Sequence, residues 1–454
     1  MKKFSRGIGV PAMILACVFA ATCLPASAQY TPPAAAPSPP PNAQPYPSPP
    51  PSPSVVNTSP FAGVTAMGQT LAAMGQTLKD NGVYLQLAYE YNLNSLVSGG
   101  LKTGTIPNGE LSFGTVLDLQ KIAGIRGASV HVTFDERSGF GLNGLAGTQG
   151  SLEANIGPTR SIRLSELFWQ QAFYDDRIDI KVGRTSPTLD FATSDVSCEF
   201  VIGIICSQPF TWYFSNENNA YPAASWGGFV NLQPVRNIYF RIGVYDDDPS
   251  NGGTNGFTWN VEHSVGVFVP AELGYQTNFN DARYPAKYDV GAYWDAASYT
   301  TPQGVPMQGR TAVYAQAQQT IWRPDPATRQ SLTLFGGGIV YNGGAPYWGQ
   351  YYAGLLDRAP IVQRPGDTIG LIGSYYANNS NEMPHKPTQW TFELNYGIGI
   401  VQGLTLKPYT QYVIAPNNFL APAGSKQPSN AWVLGFQVTI NVAQFLGFPV
   451  FTAY

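Results

Sequence analysis

Both signs of charge recur along the central chain, at Glu90, Arg163, Glu166, Lys181, Arg184, Asp190, Arg241, Glu272, Lys287 and Asp289, with Trp169 among them. Carboxylate and guanidinium groups engage hydroxyls in pairs, and an indole face covers the apolar side of a ring. A convergent set of these types therefore binds neutral polyhydroxylated solutes. A ring of one sign would sort ions instead. Glu166, Trp169, Lys181, Arg184 and Asp190 carry the most weight, because they lie where the chain enters the long segment 185–223. Folded inward, that segment would narrow a channel and present Trp212 and its aromatic neighbours as a stacking platform; folded outward, it would be an external cap.

Other chemistries find no constellation. Gly139, Gly141 and Gly144 match G-x-G-x-x-G, but the Gly- and Asn-rich run after them opens no helix, so no phosphate cradle forms. Asp246, Asp247 and Asp248 lack the full spacing of a calcium loop and read as a solvated turn. His131, His263 and His385 share no ligand spacing, and neither G-x-S-x-G nor H-E-x-x-H occurs. The expectation is a protein without metal or cofactor and not an enzyme.

The elements that must hold these residues are strands. In residues 389–414, Trp390, Phe392, Leu394 and Tyr396 fall on one side of an extended chain and Gln389, Thr391, Glu393 and Asn395 on the other. A Gln402-Gly403 turn then starts a second alternating run. This period of two returns near 83–93, 110–119, 128–136, 161–173, 177–184, 224–233, 236–246, 263–276, 285–296, 310–322, 329–341, 349–357, 367–377, 388–399, 403–414 and 430–440. Sixteen strands are expected, with tight turns at 121–127, 174–176, 233–234 and 402–403 and long loops at 94–108, 137–160, 185–223, 247–262 and 415–429.

Charged residues make up only 12%, about half the share a soluble surface carries. No apolar run long enough for a spanning helix follows the N-terminus. These observations together predict an all-β transmembrane antiparallel barrel with a water-filled lumen, its edges closed because lipid offers no hydrogen bonds. Trp294, Trp322, Trp390, Tyr412 and Trp432 stand toward strand ends, as aromatic girdles do.

Residues 1–28 read as a secretory signal peptide, with Lys2, Lys3 and Arg6 before an apolar core and Ala26-Ser27-Ala28 at the cleavage site. Without it, 22 basic face 28 acidic residues, which excludes a nucleic-acid-binding stripe. Residues 29–62 are Pro-rich and cannot pack a core; they read as a periplasmic linker, or as a stalk that touches the cell wall. The repeat AMGQTL marks a short amphipathic helix within 63–82, whose Met67, Leu71, Met74 and Leu78 would pack inward. The barrel takes residues 83–454. Cys198 and Cys206, both beyond the signal, are expected to pair in an oxidising envelope, which would add about 2 to 3 kcal/mol.

Several stretches, taken in order, resemble the carbohydrate-selective porin family of OprB-type outer-membrane channels. They are LKDNGVYLQLAYEY (78–91), VLDLQKIAGIRGASVHV (116–132), SELFWQQAFYDDRIDIKVGR (165–184), GGFVNLQPVRNIYFRIGVYDDDP (227–249), ELGYQ (272–276), YPAKYDVGAYWD (284–295), YAQAQQTIWRPD (314–325) and the 390–416 hairpin ending Ala415-Pro416. The resemblance implies sixteen strands in the outer membrane of a Gram-negative cell and facilitated diffusion of monosaccharides or disaccharides, with sugars and membrane lipid as partners. A general or acidic-solute porin and a structural barrel are the alternatives. Homo-oligomers would fit such a wall, though no residue marks an interface. Two stretches depart from the family pattern: the loop holding Cys198 and Cys206, and NVAQFLGFPVFTAY after Ile440, where such chains usually stop on an aromatic residue closing the last strand.

Overall fold

The computed structural model describes residues 66–449 and 451, apart from 151, 156–160, 197–198, 207, 281, 302–303, 343, 384–387 and 418–423. The signal peptide and the Pro-rich segment lie outside the described residues, as does Cys198, and with it the expected disulfide.

Sixteen antiparallel strands close into one barrel, each bonded to its sequence neighbours and the last to the first. In order they are β1 (Val83–Gly100), β2 (Gly104–Asp118), β3 (Ala128–Gly139), β4 (Arg163–Phe173), β5 (Ile178–Thr185), β6 (Ser225–Val235), β7 (Ile238–Asp247) and β8 (Gly266–Gln276). There follow β9 (Ala286–Thr300), β10 (Pro306–Trp322), β11 (Ser331–Asn342), β12 (Tyr347–Arg358), β13 (Thr368–Asn378), β14 (Gln389–Val401), β15 (Leu404–Ile414) and β16 (Ser429–Asn441). Short helices are α1 (Ala66–Asp80), α2 (Leu119–Ala123), α3 (Asn143–Ala146) and α4 (Val442–Phe445).

Alternation assigns the two faces correctly. On β14, Trp390, Phe392 and Leu394 are 45%, 36% and 48% exposed, whereas Gln389, Thr391, Glu393 and Asn395 are buried at 1–2%. The polar face points inward and the apolar face meets lipid. Trp390, Tyr412 and Trp432 stand exposed together at the loop end of three adjacent strands, with Trp322 at the opposite end. The Gln402-Gly403 turn needs glycine: the φ of Gly403 is +79°, and a Cβ there would lie 2.7 Å from the Asn441 carbonyl.

Several assignments differ from expectation. The supposed loop 94–108 is strand except at 101–103, because Asn92, Asn94 and Leu96 are buried inward and β1 pairs with β2 through Leu96↔Gly104. The turn expected at 233–234 falls at Arg236-Asn237, since a bulge between Leu232 and Val235 takes Pro234 out of the ladder. On α1, Met74 is exposed rather than packed; the buried position is Gly75, against Phe448.

Candidate functional site

The long segment between β5 and β6 lies inside the barrel. Its Ala192 N–H donates to Glu272 on β8 (2.8 Å), its Thr211 N–H to Gln350 on β12 (2.9 Å), and its Val201 and Ile202 N–H groups to Glu393 on β14 (2.9 and 2.6 Å). Lys287 on β9 donates to the Thr193 carbonyl at 2.7 Å. Strands on several sides of a closed barrel can share one loop only through its interior. Its apolar residues supply the centre of two cores, one around Phe200, Ile202 and Ile204 and one around Phe191 and Trp212. Trp212 is therefore core, 1% exposed and 4.8 Å from the Tyr293 ring, and not a stacking platform.

Loop filling is one-sided. Inward residues of β8 to β14, such as Glu272, Tyr314, Ile339, Gln350 and Glu393, are shut from solvent. Inward residues of β1 to β5 are less completely covered: Gln86 is exposed, and Glu90, Glu110, Ser112, His131, Arg137, Glu166 and Gln170 are half-buried, although Asn92, Asn94, Asp135 and Lys181 are buried. Water thus follows the β1–β5 wall, opposite the loop.

Charge lines that strip. Glu90, Glu110 and Arg137 are direct neighbours in the ladder, and Arg137 pairs with Glu110 at 3.2 Å. From the loop side, Tyr221 donates to Asp135 at 2.6 Å beneath the Arg137 guanidinium, which is 6.0 Å from its ring centroid. Deeper, Lys181 pairs with Asp190 at 3.1 Å and Glu166 at 3.4 Å, over the Phe168 ring at 4.1 Å. These pairs hold charged groups in fixed positions beside water, with donors and acceptors both within reach of a passing hydroxyl.

Of the residues expected from sequence, Glu90, Glu166, Lys181 and Asp190 meet along this strip. Arg241, Glu272, Lys287 and Asp289 face inward but serve the loop. Arg241 donates to the Asp190 carbonyl, and Glu272 also accepts from Tyr239 and Tyr314, each at 2.7 Å. Asp289 accepts from Gln316 at 3.2 Å and is buried. Arg163 donates to the carbonyls of Asn251 and Gly252 at 3.2 and 2.8 Å, tying down the β7–β8 loop.

Two expectations are corrected. Trp169 sits on the apolar row with Val130 and Val182, and Val182 is 57% exposed on the face opposite Lys181. Arg184 shares that outer face with Leu167 and Trp226, and escapes lipid because the β7–β8 loop folds over it. Its guanidinium donates to the Thr258 and Ala224 carbonyls at 2.6 and 2.9 Å and lies 5.7 and 5.8 Å from the Trp226 and Trp259 rings. Sequence reasoning missed Glu110, Asp135, Arg137 and Tyr221. Strict alternation from Glu90 across the ladder would have found the first; Arg137 was hidden because β3, expected to end at 136, runs three residues further, to Gly139.

Comparison with known proteins agrees with this geometry. Residues 102–442 match the carbohydrate-selective porin, OprB family. Porin B of Pseudomonas aeruginosa is 27% identical over 411 residues, covering 80% of this chain and 88% of that protein. A putative porin, QuiX, of Acinetobacter baylyi is 25% identical over 388 residues, covering 76% and 86%. The high pH structure of Pseudomonas putida OprB superposes with a TM-score of 0.73 at 22% identity, over 80% of this chain and 95% of that one, a likeness of fold.

Proposed function

The chain belongs to the OprB family of carbohydrate-selective porins, an outer-membrane sugar channel by that membership, and on this premise we propose that monosaccharides and disaccharides pass along the β1–β5 wall, sorted by the Glu110–Arg137–Tyr221 level. The observation that supports this reading is the half-buried wall that carries the Glu110–Arg137 pair, with the largely buried Lys181–Glu166–Asp190 cluster beneath it, facing a loop that closes the rest of the bore.

A sugar hydroxyl both donates and accepts, so it can trade water for Arg137 or Tyr221 on one side and for Glu90 or Glu110 on the other. Each exchange replaces one set of hydrogen bonds by another, and the net cost of passing stays small. Ions gain less at the Arg137–Glu110 and Lys181–Glu166 pairs, where the charges already neutralise each other. Carboxylates outnumber cations along the strip, at Glu90, Glu110, Asp135, Glu166 and Asp190 against Arg137 and Lys181. That excess disfavours an acidic-solute porin. Passage is downhill and uses no energy source.

Planar-bilayer conductance with added glucose or maltose tests the reading. Sugars should partly block the current, and Arg137→Ala should weaken the block while the barrel remains heat-modifiable on a gel. An open pore indifferent to every sugar would overturn it.

A further inference from the structure

The described residues after β16 add nothing to the sheet, since the closing ladder between β1 and β16 is already complete at Ala88↔Asn441. They fold all the same. The Asn441 side chain caps α4 by accepting from the Gln444 N–H at 3.0 Å, Gly447 turns the chain with φ +78°, and the Phe448 N–H returns to the Ala443 carbonyl at 2.8 Å. Phe448 and Pro449 then pack on α1 at Gly75, where a Cβ would fall 2.7 Å from the Phe448 ring. No larger residue than glycine fits there without moving the tail.

Beyond that anchor, Phe451 reaches the inner wall. Its ring stands edge-on to Tyr84, 5.1 Å between centroids, and to His131, 5.7 Å. Tyr84, Val116, His131 and Phe168 form one inward row across β1 to β4 at the tight-turn end of the barrel, which is the periplasmic end. His131 stacks on Phe168 at 4.4 Å, and Phe168 lies under Lys181. Phe451 therefore meets the same wall that carries the charged strip, one level nearer the exit. Tyr84 is itself held, because Lys121 donates to its hydroxyl at 3.0 Å and to the Lys79 carbonyl at 2.7 Å, linking α2 to the end of α1.

We propose that this C-terminal segment forms a second constriction at the periplasmic exit, in which Phe451 determines the largest sugar that leaves. The proposal rests on the reading of the β1–β5 strip as the sugar path, and it adds a steric filter to the polar one. The polar level at Arg137 acts on affinity for hydroxyls; the aromatic level at Phe451 acts on width. Lengthening a sugar from one ring to three should matter little at the first and much at the second.

Liposome swelling with glucose, maltose and maltotriose separates the two levels. Phe451→Ala should admit maltotriose severalfold faster, leave glucose nearly unchanged, and raise single-channel conductance. Gly75→Leu, on α1 and away from the wall, should do the same by evicting Phe448, and so guards against a folding defect at position 451. Wild-type size cut-off and conductance in both variants, with heat-modifiable barrels, overturn the proposal. Should Arg137→Ala still lose sugar block in that case, the exit filter alone falls and the sugar path stands; should it be silent as well, both fall.

Discussion

Glu393 is the contact on which the loop's position most depends, and replacing it has a calculable effect. Its carboxylate accepts from the Val201 and Ile202 N–H groups at 2.9 and 2.6 Å, and from Asn395 and Gln411 at 2.7 and 3.0 Å. Glu393→Ala leaves two buried loop amides without an acceptor, at about 1 to 3 kcal/mol each, so the tip loses roughly 2 to 6 kcal/mol of attachment to β14. That is comparable with the stability of a whole domain, yet the damage stays local. Lys287, Glu272 and Gln350 still hold Thr193, Ala192 and Thr211, and none of the sixteen ladders involves the loop. The expected outcome is a barrel of normal heat-modifiability whose bilayer currents are larger and noisier, because segment 199–206 moves in and out of the bore. Quiet currents of wild-type size from a folded Glu393→Ala barrel would refute the placement of the loop against β14. The isosteric Glu393→Gln keeps one oxygen but turns an N–H₂ toward a donor, so it should fall between the two.

Other outcomes follow from the same geometry. Leu394→Arg puts a cation on the lipid face and should cost about 2 to 4 kcal/mol if it lies at the bilayer midplane, read by urea unfolding in vesicles; an unchanged midpoint would mean the faces are reversed. Arg184→Ala and Trp169→Ala should leave sugar block as it is, because both side chains are on the outer face, while Arg184→Ala exposes residues 254–262 to protease. Glu153 in the β3–β4 loop is buried, and burial pushes its carboxyl up to about 8 although the Leu142 N–H opposes the shift. A raised acid makes folding of this loop take up a proton, so loop stability is full below about 4.5 and falls as pH rises through 8, by about 1.4 kcal/mol per pH unit at most. Hydrogen exchange at the Leu142 amide should show that fall in the wild type and a flat profile in Glu153→Gln.

The wall was legible in the sequence and the bore only half so, for a physical reason. A strand facing lipid on one side and water or protein on the other must alternate, and each of the sixteen runs announces itself without reference to any other. Register, too, is pinned by that alternation, because a slip of one residue would turn Leu394 inward and Glu393 into lipid. What alternation cannot say is which inward polar group meets water and which meets a loop. Glu272, Glu393 and Glu90 look alike along the chain, yet the first two accept loop amides and only the third faces the open strip. That choice is made by contacts between residues as far apart as Val201 and Glu393, which no local pattern encodes. Trp169 and Arg184 are a different matter. Each is an odd number of residues from Lys181 or Glu166 on its own strand, so the period of two already set them on the other face; the charge of Arg184 was misleading because the loop that shields it lies 74 and 75 residues on, at Thr258 and Trp259.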